Sequence, residues 1–223
     1  MRLSIVLPVL NEAQGIAAIL ATLAPYRAAG HEVIVVDGGS RDDTVARAAP
    51  AADRVLASPP GRAVQMNAGA AVAQGEVLLF LHADTQLPPA APAALQRALA
   101  AGAVWGRFDV RIEGRSAWLP VVATLMNWRS RLSGIATGDQ AIFVRRDVFR
   151  RLGGYPLQPL MEDIELSRRL RALARPRCLR ERVTTSGRRW DKHGAWRTIV
   201  LMWRLRWRYW RGTPAEALAR LYQ

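Results

Sequence analysis

Val33-Ile34-Val35-Val36-Asp37-Gly38-Gly39-Ser40-Arg41-Asp42-Asp43-Thr44 is the stretch on which the fold turns. A β-branched run closed by an acid reads as a buried strand over 32–37. The two glycines permit a tight turn, and Ser or Asp then opens a helix near 42–49. The same unit recurs on both sides. Strands are expected at 3–7, 54–57 and 76–81, and Ala-rich helices near 12–23 and 63–73. Short apolar runs alternating with helical stretches make a mostly parallel sheet covered by helices on both faces, an α/β fold.

In such sheets the ligand lies beyond the carboxyl ends of the strands. Three ends carry polar groups that would converge on one edge: Pro8 to Glu12, Asp37 to Thr44, and His82-Ala83-Asp84. Each has two readings. Asp37 with Gly39 and Ser40 is either a well-capped turn or a contact to ribose or base. His82 and Asp84 fall on one side of an extended chain, where they could face a hard cation such as Mg²⁺ or Mn²⁺, or Asp84 could cap the turn. A helix over 162–173 opens with Glu162, Asp163 and Glu165. The helix macrodipole favours acids there, and the same position lets one of them accept a proton from an attacking hydroxyl. A further strand is expected near 140–145; otherwise the βα rhythm breaks up beyond residue 110.

The 223 residues suffice for one sizeable core, with a first half at 1–110, a second at 111–193 and a Trp/Arg-rich end at 194–223. The formal charge of +14 is uneven: residues 1–110 carry 8 basic and 9 acidic side chains, the rest 24 and 9. Lys192 is the only lysine, so the excess is an arginine habit more than a phosphate-binding stripe, and acidic strand ends would repel nucleic acid. One cysteine, Cys178, excludes an internal disulfide and suits a reducing, cytoplasmic location. No window reaches the roughly 18 apolar residues needed to span a bilayer.

Five ordered matches carry a resemblance to the family 2 glycosyltransferases of GT-A type, over residue 3 to about 190. They are Val6-Leu-Pro-Val-Leu-Asn-Glu12, the 35–44 segment, Arg62-Ala-Val-Gln-Met-Asn-Ala68 with its continuation, Leu79-Phe-Leu-His-Ala-Asp-Thr85, and Gly138-Asp-Gln140 followed by Met161-Glu-Asp163. The resemblance implies transfer of a sugar from a nucleotide-diphosphate donor, UDP-linked above all, to an acceptor hydroxyl with inversion. It places Pro8, Glu12, Asp37, Gly39, Ser40, Arg62, Asn67, His82, Ala83 and Asp84 at the donor. Arg189 and Trp190 would touch diphosphate or acceptor, and Gly138, Asp139 and Gln140 the acceptor side. Asp84 would hold the divalent cation, with His82 and His193 as further ligands, and Asp163, beside Glu162, would be the base.

Three departures matter. Gly38 and His82 stand where the family has Asp, which leaves one metal carboxylate. Ser186-Gly-Arg-Arg-Trp190 replaces the motif of processive synthases, so a non-processive enzyme is expected. The short chain and its ending also resemble a bacterial subgroup associated with arsenosugar biosynthesis. Over 196–211 a helical wheel gathers Trp196, Ile199, Val200, Trp203, Trp207 and Trp210 on one face beside an arginine stripe. That face either lies in the headgroup layer at the inner side of a membrane, near a lipid-linked acceptor, or packs on the domain. A silent nucleotide-sugar-binding protein and a basic nucleic-acid-binding protein are the competing functions.

Overall fold

The computed structural model describes residues 1–222, apart from the side chains of Arg189, His193 and Ala195. The first half runs β1 (Leu3–Val9), α1 (Ile16–Ala28), β2 (Glu32–Asp37), α2 (Thr44–Ala48), β3 (Arg54–Ala57), α3 (Arg62–Val72), β4 (Val77–Phe80), β5 (Thr85–Gln86) and α4 (Ala91–Ala100). The second half runs β6 (Trp105–Glu113), α5 (Leu119–Ser133), β7 (Phe143–Arg145), α6 (Arg146–Arg151), α7 (Glu162–Leu173), β8 (Arg177–Ser186), α8 (Arg188–His193), α9 (Ala195–Trp210) and α10 (Ala215–Tyr222).

Eight strands form one mixed sheet in the order β3-β2-β1-β4-β7-β6-β8-β5. The β3-β2-β1-β4 half is parallel, as expected, and β7 joins it antiparallel to both β4 and β6. Period-two alternation sends Leu3, Ile5 and Leu7 to a core layer shared with α1, α4 and α5. Val6 points the other way, to a layer shared with α3, α6 and α7. Helix α3 lies so close to β1 that a Cβ on Gly69 would meet Val6 Cγ1 at 2.4 Å.

Beyond residue 110 the structure corrects the expectation of irregular chain. β6 and β8 pair in parallel with a bulge at Phe108/Asp109, and α5 packs on β6. The predicted strand at 140–145 is shorter: Gly138–Gln140 is a 3₁₀ turn, Ala141 has φ 47°, and only Phe143–Arg145 is extended. The predicted helix at 12–23 starts later, because Glu12 carbonyl first closes a turn onto the amides of Gly15 and Ile16.

Candidate active site

Beyond the carboxyl ends of β1 and β4 lies a cleft of about 630 Å³. Pro8 and Glu12 reach it from the β1 end, Arg62 from the start of α3, and His82, Ala83 and Asp84 from the β4 end. Gly138 and Asp139 enter from the 3₁₀ turn, Glu162 and Asp163 from the start of α7, and Trp190 from α8. The structure thus brings together elements distant in sequence.

The two loops beyond β1 and β2 are laced to each other. Ser40 Oγ accepts from the Asn11 amide at 2.8 Å, Asn11 Oδ1 accepts from the Arg41 amide at 2.9 Å, and Thr44 Oγ1 accepts from the Glu12 amide at 2.8 Å. Asp37 is buried, and its Oδ2 accepts from the amides of Gly39 and Ser40 at 3.0 and 2.9 Å while Oδ1 takes the Ser40 hydroxyl. The turn reading therefore accounts for Asp37, Gly39 and Ser40, which shape the cleft from outside its wall.

Two further residues of the expected site are bonded within the protein. Asn67 donates to Tyr155 carbonyl and accepts from Tyr155 amide, both at 2.9 Å, so its amide is spent on pinning that loop. Gln140 is fully buried, donating to Ser130 Oγ at 3.1 Å and accepting from the Thr137 amide at 3.2 Å; it holds the turn from beneath.

Two carboxylates converge on one cation at the donor end. Arg188 Nη2 lies 3.8 Å from both Glu12 Oε2 and Asp84 Oδ2. Burial pushes the Glu12 carboxyl up, Arg188 pulls it down, and Asp84 and Asp42 push it up again. His82 does not join this pair. Its Nδ1 is 3.3 Å from Asp139 Oδ1, and its Cε1–Nε2 edge occupies the place of a Cβ on Gly138, at 2.4 Å. The ring is thus committed to the 138–139 turn and not to a shared site with Asp84. No group of three His, Cys, Asp or Glu that could hold a metal exists among the described residues. The oxygen donors that remain suit a hard cation held by one or two carboxylates and completed by phosphate and water. The side chains of Arg189 and His193 lie outside the described residues.

At the other end, Asp163 Oδ2 accepts from the Gly138 amide at 2.9 Å and Oδ1 from the Ile164 amide at 2.7 Å. Glu162 beside it is buried, and burial, followed by the Asp163 charge, raises its carboxyl to about 7. Burial opposes the charge on Arg62, but Glu162, Asp139, Tyr222 and Asp163 outweigh it and hold the guanidinium above its usual range. Burial raises the Asp139 carboxyl, and His82, Arg62 and Arg206 together bring it below the ordinary range.

Several residues in and behind the cleft escaped the sequence reading. Arg206 of α9 lines the cleft with Met202; burial lowers its pKa, against the pull of Asp163 and Asp139. Spacing could have found it, since Met202, Arg206 and Tyr209 share a face opposite Arg197, Arg204 and Arg208. Gln65 donates to the carbonyls of Val9 and Val36, both at 2.8 Å, and a Cβ on Gly38 would meet its amide at 3.0 Å. The glycine in place of a second Asp is therefore the space that Gln65 needs. Arg129 of α5 donates to Ile135 carbonyl at 3.3 Å, while its Nε and Nη2 are buried without a partner. Burial, with Arg206 nearby, lowers its pKa to about 9.

This cleft at the strand ends of a mixed α/β sheet is the GT-A arrangement. The pattern of glycosyl transferase family 2 matches residues 4–153, and the chain belongs to that family. It is similar to an uncharacterised glycosyltransferase of Mycobacterium tuberculosis, 29% identical over 171 residues, covering 71% of this chain and 77% of the relative. It is 33% identical over 159 residues to the undecaprenyl-phosphate 4-deoxy-4-formamido-L-arabinose transferase of Pseudomonas syringae, covering 64% of this chain but 46% of that protein. Among solved structures, glucosyl-3-phosphoglycerate synthase from M. tuberculosis, in complex with Mg²⁺ and UDP, shares the fold. Its TM-score is 0.61 at 24% identity, over 82% of this chain and 70% of that one.

Proposed function

We propose that this glycosyltransferase moves a sugar from a nucleotide-diphosphate donor, UDP-linked above all, to a hydroxyl of a lipid-linked acceptor, non-processively and with inversion. The observation that carries the reading is one cleft holding Asp84 with Arg188 at one end and Asp163 with Arg206 at the other. The complex of the M. tuberculosis synthase with Mg²⁺ and UDP supports the donor. The P. syringae transferase, whose name specifies undecaprenyl phosphate, supports the lipid-linked acceptor.

Arg62 and Arg188 bind the diphosphate, and Pro8 and Glu12 border the nucleotide. Asp163, aimed by the Gly138 amide, takes the proton of the acceptor hydroxyl as its oxygen attacks the anomeric carbon. Arg206 sets a positive charge near Asp163, and Glu162, raised towards neutrality, keeps a second negative charge away from it. One in-line step reverses the anomeric configuration. Asp84, with Glu12, would hold a divalent cation, which would supply positive charge to the departing diphosphate. We place the enzyme at the cytoplasmic face of a membrane. Membership of the subgroup associated with arsenosugar biosynthesis is part of the same proposal.

Proton NMR of slow donor hydrolysis tests the step. An α-linked UDP-sugar should release the β anomer first, and Asp163→Asn should slow release by about 10²–10⁴-fold with UDP binding unchanged. Release of the α anomer first, or an undiminished rate in the variant, would refute the mechanism.

A further inference from the structure

Helix α9 presents its tryptophans outward. Trp196, Val200, Trp203, Trp207 and Trp210 are all exposed, with Trp203 at 72% and Trp210 at 80%. The face that packs on the protein is another one: Leu205 is buried with Met161 of the α7 entry and Leu218 of α10, and Thr198 is buried as well. Ile199 of the same face packs on the core, but Trp203, Trp207 and Trp210 do not seat the helix on the domain.

A second helix does the same. On α5, Val121, Leu125, Trp128 and Leu132 follow the spacing i, i+4, i+7, i+11, and all are exposed, Leu132 at 80%. Their opposite face, through Leu119, Val122 and Ala123, is buried in the core. The two stripes meet: Trp118, at the α5 N-terminus, packs its ring on Trp196, 5.4 Å between centroids. Neither helix contains an Asp or Glu, and Arg197, Arg204 and Arg208 form a stripe beside the tryptophans of α9.

We infer that α5 and α9 together form one docking face for an anionic lipid bilayer. Tryptophan rings suit the headgroup layer, where an apolar body and a polar N–H are both accommodated, and flanking arginines meet anionic headgroups. A second copy fits poorly, because it would bring two acid-free, arginine-bearing faces together. The same α9 carries Met202 and Arg206 into the cleft, so one helix borders both the docking face and the cleft. This deepens the lipid-linked reading by naming the surface from which the acceptor arrives.

Co-sedimentation of the full chain with phosphatidylcholine vesicles, with and without phosphatidylglycerol, tests the face in the absence of donor and acceptor. Its failure is thereby separate from any failure of transfer. Binding to the anionic vesicles should exceed binding to the neutral ones and weaken as salt rises. Leu125→Ser/Trp128→Ser on α5 and Trp203→Ser/Trp207→Ser on α9 should each weaken it at least about tenfold, with unchanged circular dichroism. In the unaltered chain, brominated lipids should quench tryptophan emission. Absence of vesicle binding, an α5 variant that binds like the parent, or a concentration-dependent dimer abolished by both variants would overturn the inference, the last by assigning the face to a second copy.

Discussion

The backbone amide of Gly138 donates to Oδ2 of Asp163 at 2.9 Å, and that short contact joins the 3₁₀ turn after α5 to the first turn of α7. The same turn holds Asp139 against His82, whose ring lies where any side chain at 138 would begin. Turn, histidine and the proposed base are therefore one mechanical unit.

Gly138→Ala tests that unit. A Cβ would stand 2.4 Å from the His82 ring, so either the ring or the turn must shift, and the Asp163 contact shifts with it. Misplacement of this kind costs rate more than stability. We expect kcat to fall at least about tenfold with UDP affinity retained, measured by coupled nucleotide release and calorimetry. Full activity would show that the base is aimed by something else.

Glu162 makes stability depend on pH. Its folded-state pKa, raised to about 7 from 4.5, means that the folded chain binds a proton the unfolded chain has already released across that window. The favourable contribution is complete below about 4.5 and is lost as pH rises through 7, by roughly 1–3 kcal/mol. Thermal unfolding from pH 5 to 8 should therefore show the parent losing stability relative to Glu162→Gln. Parallel curves would contradict the shift.

Asp109 joins two arginines: Oδ1 pairs with fully buried Arg107, and Oδ2 accepts from Arg131 of α5 at 2.6 Å. Arg107 also donates to Asn127 carbonyl at 2.9 Å, and the Asn127 amide bonds both ways with Val110. Asp109→Ala strands a buried guanidinium and should cost about 3–5 kcal/mol, measured by urea unfolding. A loss below about 1 kcal/mol would mean that the network contributes little to stability.

The same ion pair explains why β6 is illegible in the sequence. β1, β2 and β4 show as apolar runs because both of their faces are buried. In β6, Arg107 and Asp109 occupy buried positions and break the apolar pattern; only the fold reveals that each neutralises the other. The sequence shows the residues that line the cleft at the ends of β1 and β4, such as Glu12 and Asp84, and at the start of α7, such as Asp163. It does not show which polar side chains also bond the backbone, as Asn67 does at Tyr155 and Asp37 at its own turn. Arg206 sits among the arginines of α9, and the helical spacing that sets it apart gains its meaning once Leu205 beside it is seated against Met161 and Leu218.

The most direct test is calorimetric titration of the purified chain with UDP, GDP and dTDP, in Mn²⁺ or Mg²⁺ and again in EDTA, with Asp84→Ala beside it. The donor site described here requires that one nucleotide, UDP foremost, bind in the presence of metal and that binding be lost in EDTA and in the variant. A folded sample that binds none of the three, or that binds equally well in EDTA and without Asp84, would contradict a metal-assisted nucleotide-sugar site in this cleft.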